Sequence, residues 1–148
     1  MKISIDESYT NEEIEVIIKG SKENKLVKRL YQTLQYYDQT ITGFFEHKRY
    51  LIPLNQIYYF DSTDDKTFAY TKDCVYDVQF RLYQLESFLE ETPFLRINKH
   101  TILNLKKIHS FHSTINGRME AKLINEERMK ISRNYVKSLK RALGGNRK

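Results

Sequence analysis

The spacing of apolar side chains along the chain changes repeatedly between a period of two and a helical period. Short segments rich in β-branched and aromatic residues fill much of 41–80 and 94–131, and this pattern predicts strands. Apolar residues fall at helical spacing in 21–38, 82–89 and 132–143. The sequence therefore predicts a mostly β fold of the α+β class, with few short helices.

The first 40 residues are predicted to form a ββα extension. Met1–Glu7 and Ile14–Gly20 have the composition of short strands, and Ser21 is a candidate N-cap for the helix that follows. No segment rich in Gly or Pro separates this extension from residues 41–148. We therefore expect the extension to dock on a second unit that spans 41–148.

Turn residues mark several of the connections between strands. Turns are predicted at Glu46–Arg49 and at Asp64–Lys66. Asn116-Gly117 predicts a type I′ hairpin, because both turn positions need a positive φ. Ser132 is predicted to cap the last helix, and Gly144-Gly145 is predicted to end it.

Length and composition indicate one folded domain in a reducing compartment. The 148 residues are 40% apolar and 13% aromatic, which is enough to build a core. Cys74 is the only cysteine, so no internal disulfide is expected. The N-terminal sequence has no apolar stretch typical of a signal peptide, and no apolar run has the length of a membrane span. We therefore expect a cytoplasmic protein.

The formal net charge of +6 is divided unevenly along the chain. Residues 1–93 contain 11 Lys and Arg against 16 Asp and Glu, a net charge of −5. Residues 94–148 contain 14 Lys and Arg against 3 Asp and Glu, a net charge of +11. Like charges crowded into one half of a small protein repel each other unless an anion offsets them. This division predicts a polyanionic partner.

Residue patterns typical of enzymes are absent from the sequence. It contains no HExxH, Walker A, GxGxxG or GxSxG motif, so we expect no catalysis and no cofactor. We interpret the four histidines as surface residues rather than metal ligands (His47, His100, His109, His112). Asp64-Asp65 is interpreted as a turn and Cys74 as an ordinary strand position. No metal site is expected.

A cationic segment, "FLRINKHTILNLKKIHSF" (94–111), combines core-forming residues with cations and contains no carboxylate. Its part 98–105 is too mixed to alternate, and one short helical turn is predicted there. This polar break between two strands is expected to project Asn98, Lys99 and His100 outward. Loops held by a rigid sheet are suited to recognition because the scaffold has already ordered them.

Arg133 falls in the first turn of the last predicted helix, where the helix dipole disfavours a cation. A phosphate bound at the helix-end amides would remove this conflict. Arg133 would then reach past the phosphate, to the O6/N7 edge of a guanine. The helix start is therefore a candidate DNA contact, with an arginine that bends into solvent as the alternative.

Three blocks follow one another in a defined order: "FLRINKHTILNLKKIHSF", "NGRMEAKL" and "MKISRNYVKSLKRAL". In order and spacing they resemble the LytTR-type DNA-binding domain of bacterial transcription regulators, and the resemblance covers residues 40–143. It implies many short strands in small sheets and little helix. It also implies sequence-specific binding to duplex DNA, with loops in successive major grooves at paired direct repeats.

The resemblance also implies which residues contact DNA. The base-contacting candidates are Arg133, Asn98, Lys99, His100, Lys66 and Thr67. The phosphate-contacting candidates are Asn134, Tyr135, Lys106, Lys107, Lys137 and Lys140. The family often has His-Arg-Ser where this chain has Asn98-Lys99-His100, so different bases can be preferred. Asn104 is either a further contact or a buried amide that holds the backbone of the turn.

The partners implied by the resemblance are double-stranded DNA, a second protomer on direct repeats (a homodimer on DNA) and a restraining membrane protein. Forty residues are too few for the receiver domain that many relatives carry, so we expect no control by phosphorylation. Two other classes of function stay open. One is a protein-interaction module whose basic face binds an acidic or membrane-bound partner. The other is single-stranded RNA binding through aromatic stacking, which ranks last because most aromatics alternate as core residues.

Overall fold

The computed structural model describes residues 1–8 and 12–144, and these residues form ten strands and three α-helices. The helices are α1 (Lys25–Asp38), α2 (Leu82–Phe88) and α3 (Arg133–Gly144). The strands are β1 (Thr40–Phe45), β2 (Lys48–Pro53), β3 (Ile57–Thr63), β4 (Lys66–Thr71), β5 (Val75–Val78), β6 (Phe94–Arg96), β7 (Thr101–Asn104), β8 (Ile108–Ser113), β9 (Met119–Leu123) and β10 (Arg128–Ile131). Short 3₁₀ turns occupy Leu54–Gln56, Leu105–Lys107 and Ile115–Gly117.

The strands form two antiparallel sheets, as expected for a mostly β fold with few helices. The first sheet has seven strands in the order β2-β1-β5-β4-β3-β7-β6, and the second has three in the order β10-β9-β8. The chain crosses from the first sheet to the second at the 3₁₀ turn Leu105–Lys107, between β7 and β8. Both sheets thus meet near the end of β7.

Two hydrophobic cores lie on the two sides of β3 and β7. The first core combines Phe60 and Ile102 of these strands with Tyr36 of α1 and Leu85 of α2. The second core combines Tyr59 and Leu103 with residues from β9, β10 and α3 (Met119, Ala121, Leu123, Ile131, Leu139). Every residue of β7 and the first four of β3 are buried. These two strands therefore form the wall between the cores.

The predicted turns are confirmed by backbone angles. Asp64 and Asp65 have φ of 52° and 63°, and Asn116 and Gly117 have φ of 61° and 73°. A positive φ at both central residues is what a right-twisted two-stranded hairpin requires. The alternation predicted after Gly117 is also confirmed, because Met119, Ala121 and Leu123 of β9 are buried. These turns fix which side chains of the following strands face inward.

The two strands predicted in the N-terminal extension are absent from the described residues. Met1–Glu7 and Ile14–Gly20 adopt no strand, and α1 begins at Lys25 with Asn24, not Ser21, as its N-cap. The Asn24 side chain accepts from the backbone N–H groups of Leu26 and Val27. Strand propensity alone does not form a sheet, because backbone donors and acceptors need a partner strand. The helix of the extension was predicted correctly and its strands were not.

The helical turn predicted within 98–105 is also misplaced. Residues 98–100 form a bend, and Thr101–Asn104 form the buried strand β7. The 3₁₀ turn lies directly after it, at Leu105–Lys107. A strand buried on both faces shows no alternation, which explains why the pattern did not indicate it.

Asn104 is a fully buried amide that holds backbone and side-chain groups together, so it is not accessible as a DNA contact. Its Nδ2 donates to the Tyr36 hydroxyl and to the Ile57 carbonyl, both at 2.8 Å. Its Oδ1 accepts from the backbone N–H of Lys106 at 3.0 Å. Asn104 thereby ties α1, β3 and the turn between the two sheets to one point.

We predict that Asn104→Ala lowers the free energy of unfolding by about 3 kcal/mol or more, because it leaves several buried polar groups unpaired at roughly 1–3 kcal/mol each. Tyr36→Phe removes one of the three bonds and is expected to cost about 1 kcal/mol. Urea unfolding followed by tyrosine fluorescence measures both. Asn134→Ala is the matched control, since Asn134 is exposed and its replacement should change stability by less than about 0.5 kcal/mol. Equal losses for the two asparagine variants would contradict the role given to Asn104.

Candidate nucleic-acid interface

Three of the segments predicted to contact DNA lie beside each other in the fold. They are the tip of the β3–β4 hairpin (62–66), the loop between β6 and β7 (97–100) and the start of α3 (132–134), and we call them together the candidate edge. The Ser62 N–H donates to the His100 carbonyl at 2.8 Å. The Ser132 N–H donates to the Ile97 carbonyl at 2.9 Å. The middle loop is thus hydrogen-bonded to both of its neighbours.

Arg96 holds the shape of the middle loop. Its Nε donates to the Asn98 carbonyl at 3.0 Å, and its Nη2 donates to the Lys99 carbonyl at 2.6 Å. Its Nη1 forms an ion pair with Glu86 of α2 at 2.7 Å. One guanidinium therefore fastens two consecutive loop carbonyls to a helix, which the planar fork of arginine allows and a lysine ammonium does not.

Within the middle loop, Asn98 faces its neighbours and the next two residues face solvent. The Asn98 Nδ2 donates to the Lys130 carbonyl at 3.3 Å, and its Oδ1 accepts from the His100 N–H at 2.8 Å. Asn98 is half-buried, whereas Lys99 and His100 are exposed. The structure thus makes Lys99 and His100 the accessible side chains of this loop.

Arg133 lies at the first position of α3 and is exposed, as is Asn134. Gly117 supports the stem of Arg133, since a Cβ at Gly117 would lie only 3.1 Å from the Arg133 Cδ and 3.2 Å from its Cγ. A shallow groove beside this contact contains three cations and no acidic residue. Its lining is Arg118, Lys130, Ile131, Ser132, Arg133 and Asn134. The helix start is therefore an accessible cationic site.

The hairpin tip contributes one of its two predicted contacts. Lys66 is exposed, but the side chain of Thr67 is only 4% exposed. Thr67 is the first inward-facing position of β4, because successive strand residues face opposite sides. The prediction that Thr67 contacts bases is therefore wrong. The tip also carries exposed carboxylates, and Asp65 lies 3.7 Å from the guanidinium of Arg81.

The exposed side of α3 continues the cationic surface away from its first turn. Lys137 and Lys140 are exposed at positions four and seven after Arg133, so they lie on the same side of the helix. Tyr135 is half-buried and packs against the second core, as do Val136 and Leu143. Arg133 and the two lysines thus form one stripe along the solvent side of α3.

Lys106 and Lys107 are not close to the candidate edge. Strand β9 runs from Met119, paired with Ile131, to Leu123, paired with Ile108, which follows Lys107 directly. Four strand residues span about 13 Å, so the second sheet separates these lysines from Arg133. The Lys107 ammonium lies 4.9 Å from the centre of the Tyr58 ring, and burial lowers the pKa of Lys107.

The histidines and carboxylates of the described residues form no candidate metal centre. All four histidines are exposed, which confirms their interpretation as surface residues. Residues 1–8 and 12–144 contain no group of three or more His, Cys, Asp or Glu side chains placed to hold a metal ion. No helix within these ranges combines the length and the apolar character needed to cross a membrane.

Comparison with known protein families settles what kind of domain this is. The family model described as "LytTr DNA-binding domain" matches residues 47–144. The chain belongs to this family. LytTr domains are DNA-binding domains of a non-enzymatic family, and the sequence resemblance noted above is thereby confirmed.

A solved LytTr domain has the same fold. The LytTr DNA-binding domain of a Bacillus cereus protein described as a methyl-accepting/DNA response regulator matches with a TM-score of 0.67 and 20% identity. The match covers 72% of this chain and 97% of that domain. The multi-sheet LytTr fold predicted from the sequence is therefore confirmed.

Two relatives differ in how much of their length they share with this LytTr protein. The sensory transduction protein LytT of Enterococcus faecalis is 28% identical over 99 residues, which is 67% of this chain but only 41% of that protein. A Staphylococcus aureus protein (strain bovine RF122 / ET3-1) described as an HTH-type transcriptional regulator is 26% identical over 145 residues, 97% of this chain and 98% of its own length. In residues 1–8 and 12–144 here, strands separate each α-helix from the next, so these helices form no helix-turn-helix.

Several residues of the LytTr site had received no role from the sequence. Arg96 shapes the middle loop, Gly117 supports Arg133, and Arg118 and Lys130 line the groove. Arg96 lies between Leu95 and Ile97 in a strand-like segment, and a cation at such a place needs a hydrogen-bond or ion-pair partner. This was the signal that could have indicated its role. The contact between Gly117 and Arg133 joins two elements of the fold and has no local signal.

We predict that Arg96→Ala loosens the middle loop without unfolding the LytTr domain. Loss of three bonds from one guanidinium should speed hydrogen exchange of the Ser62 and Ser132 amides by about tenfold or more, since tenfold corresponds to about 1.4 kcal/mol. These amides report on the loop because they donate to its carbonyls. The Leu123 amide, bonded to Glu127 at the far end of the second sheet, is the control and should be unchanged. Unaltered exchange at Ser62 and Ser132 would show that Arg96 does not order this loop.

Proposed function

We propose that this LytTr protein is a cytoplasmic transcription regulator, without catalytic activity, that binds specific sites in double-stranded DNA. The observation that carries the proposal is the candidate edge, where hydrogen bonds hold three cation-bearing segments side by side. The similarity to S. aureus proteins described as transcriptional regulators, over nearly the whole of both chains, supports a regulatory role.

The base contacts are proposed for the exposed cations of the candidate edge. Arg133 is the leading candidate, because an arginine fork can bond both acceptors on the major-groove edge of a guanine. Lys99 and His100 would contact bases beside it, and Lys66 would do so from the hairpin tip. Asn98 would contribute mainly by holding its loop against β10.

The phosphate contacts are proposed for the stripe along α3. Asn134, Lys137 and Lys140 are exposed beside or along the same helix as Arg133, so they can follow one DNA backbone. Lys106 and Lys107 would contact only more distant phosphates. The ring of Tyr135 packs inward, which leaves its hydroxyl as the group for a phosphate.

The arrangement on DNA is proposed to be two protomers at adjacent direct repeats. The family resemblance supports this arrangement, and it also supports a restraining membrane protein as a second partner. Residues 1–40 are proposed to be the regulatory extension, and 41–148 the DNA-binding unit. Docking of Tyr36 into the first core fixes α1 of the extension against that unit.

Selection of bound duplexes from a random pool tests the proposed function directly. We expect one enriched motif, present twice in the same orientation, with two protomers per selected duplex. Affinity for the selected site should fall steeply with salt on a log–log plot. Failure to enrich any motif, together with no duplex binding near physiological salt, would instead favour the protein-interaction module.

We predict that Arg133→Ala costs about 1–3 kcal/mol on the selected site and flattens the preference for that site. Lys137→Ala should weaken binding to all duplexes alike, because phosphate contacts carry no base information. Titration of both variants against selected and scrambled duplexes measures this difference. The division between base and phosphate contacts is refuted if both variants lose affinity equally on the two duplexes.

We further predict that Gly117→Asn lowers discrimination between selected and scrambled duplex by about threefold to tenfold, that is up to about 1.4 kcal/mol. Asparagine tolerates a positive φ, so the added Cβ displaces Arg133 with little backbone strain. Asn116→Gly is the matched control in the same turn, since it adds no atom near Arg133. Retained discrimination in the Asn variant would exclude Gly117 as a support for Arg133.

A further inference from the structure

Exposed apolar side chains are concentrated in the first quarter of the chain. Half of the twenty large hydrophobic residues that are exposed in the described ranges lie within residues 1–38 (Met1, Ile3, Ile5, Ile14, Val16, Ile17, Leu26, Tyr31, Leu34, Tyr37). A contiguous exposed apolar surface in a small protein marks an interaction site. The DNA-binding residues proposed above all lie outside this region.

Residues 13–19 are the part of this region with the strongest strand composition. Four of them are β-branched (Ile14, Val16, Ile17, Ile18), yet the segment belongs to no sheet in the structure. Ile14 is 89% exposed and Ile17 is 68% exposed. We call residues 13–19 the arm; it has strand-forming side chains and backbone groups outside either sheet.

Helix α1 presents a second uncovered apolar surface next to the arm. Its apolar stripe exposes Leu26, Leu34 and Tyr37, while Leu30 of the same stripe is half-buried. The residue that α1 buries in the first core is Tyr36, on another side of the helix. The arm ends against this helix, because a Cβ at Gly20 would lie 2.8 Å from the Val27 Cγ2. The end of the arm thus lies beside α1, and both the arm and this helix carry exposed apolar side chains.

We propose that the arm pairs with the arm of a second copy of this chain, as an antiparallel two-stranded ribbon centred on Val16. In that register Val16 lies opposite Val16 of the second copy, Ile14 opposite Ile18, and Glu13 opposite Lys19. The apolar pairs fall on one face, and an ion pair forms at each end.

The sequence of the arm favours a second copy over an unrelated partner. A two-fold interface must be self-complementary, so that each residue and its counterpart meet twice. The arm fulfils this condition at its two ends, because Glu13 of each copy would meet Lys19 of the other, and Glu15 would lie opposite Ile17 between them. A two-stranded ribbon alone is marginally stable in water. The α1 stripes of both copies would cover it.

The pairing is tested on the full chain without DNA, so its outcome is independent of the proposed DNA binding. Sedimentation velocity should show a concentration-dependent dimer. Glu13→Lys should weaken dimerisation about threefold to tenfold, because it places like charges opposite each other at both ends. Lys19→Glu should do the same, and the double variant Glu13→Lys/Lys19→Glu should restore the dimer.

Disulfide trapping tests the register itself, in a Cys74→Ser background that removes the native thiol. Val16→Cys would face its own counterpart, at the Cα separation of about 4.4–6.8 Å that a disulfide accepts. Ile14→Cys is the matched control, because four strand residues would separate it from its counterpart by about 13 Å. We expect at least fivefold more cross-linked dimer for Val16→Cys.

Three outcomes would overturn the proposal. A monomer at all concentrations would mean that the arm folds on its own chain or binds another protein. Equal cross-linking of the two cysteine variants would show that contact between copies is not in this register. If both single charge variants lose the dimer and the double variant does not restore it, Glu13 does not pair with Lys19.

Discussion

The buried amide of Asn104 connects parts of the chain that are far apart in sequence. Its partners Tyr36 and Ile57 lie 68 and 47 residues earlier, and its third bond holds the turn that leads from one sheet to the other. A buried amide left without partners is costly, so α1, β3 and the turn must assemble together. The position of the second sheet, and therefore of α3, depends on the hydrogen bonds of Asn104.

The geometry of the candidate edge depends on that assembly of α1, β3 and the turn between the sheets. Its three segments come from different parts of the chain, and backbone hydrogen bonds from Ser62 and Ser132 hold them in register. Arg96 holds the loop through hydrogen bonds to its carbonyls, and Gly117 leaves room for the stem of Arg133. Recognition by such a surface needs little further ordering on binding, which favours affinity at a given number of contacts.

Sequence reasoning succeeded where local chemistry decides the structure. The Asn116-Gly117 turn and the alternation of β9 follow from φ requirements and from the period of a half-buried strand. It failed where contacts between distant parts of the chain decide the structure. The arm has strand composition but no partner strand in the structure. Strand β7 shows no alternation of apolar and polar residues because both of its faces are buried. Thr67 is buried because it occupies an inward-facing position of β4. Lys107 was assigned by its charge, which does not reveal that its ammonium lies over the ring of Tyr58.

The hairpin tip carries Asp64 and Asp65 beside Lys66, so the candidate edge is not uniformly cationic. Carboxylates at that place are repelled by the phosphates of any duplex, whatever its sequence. If the proposed function holds, this repulsion shortens the residence time of the protein on arbitrary DNA. At a matching site, the base-specific contacts would slow dissociation. A regulator of this kind would dissociate quickly from non-specific DNA, and the carboxylates of the hairpin tip would thereby shorten the time it needs to find its site.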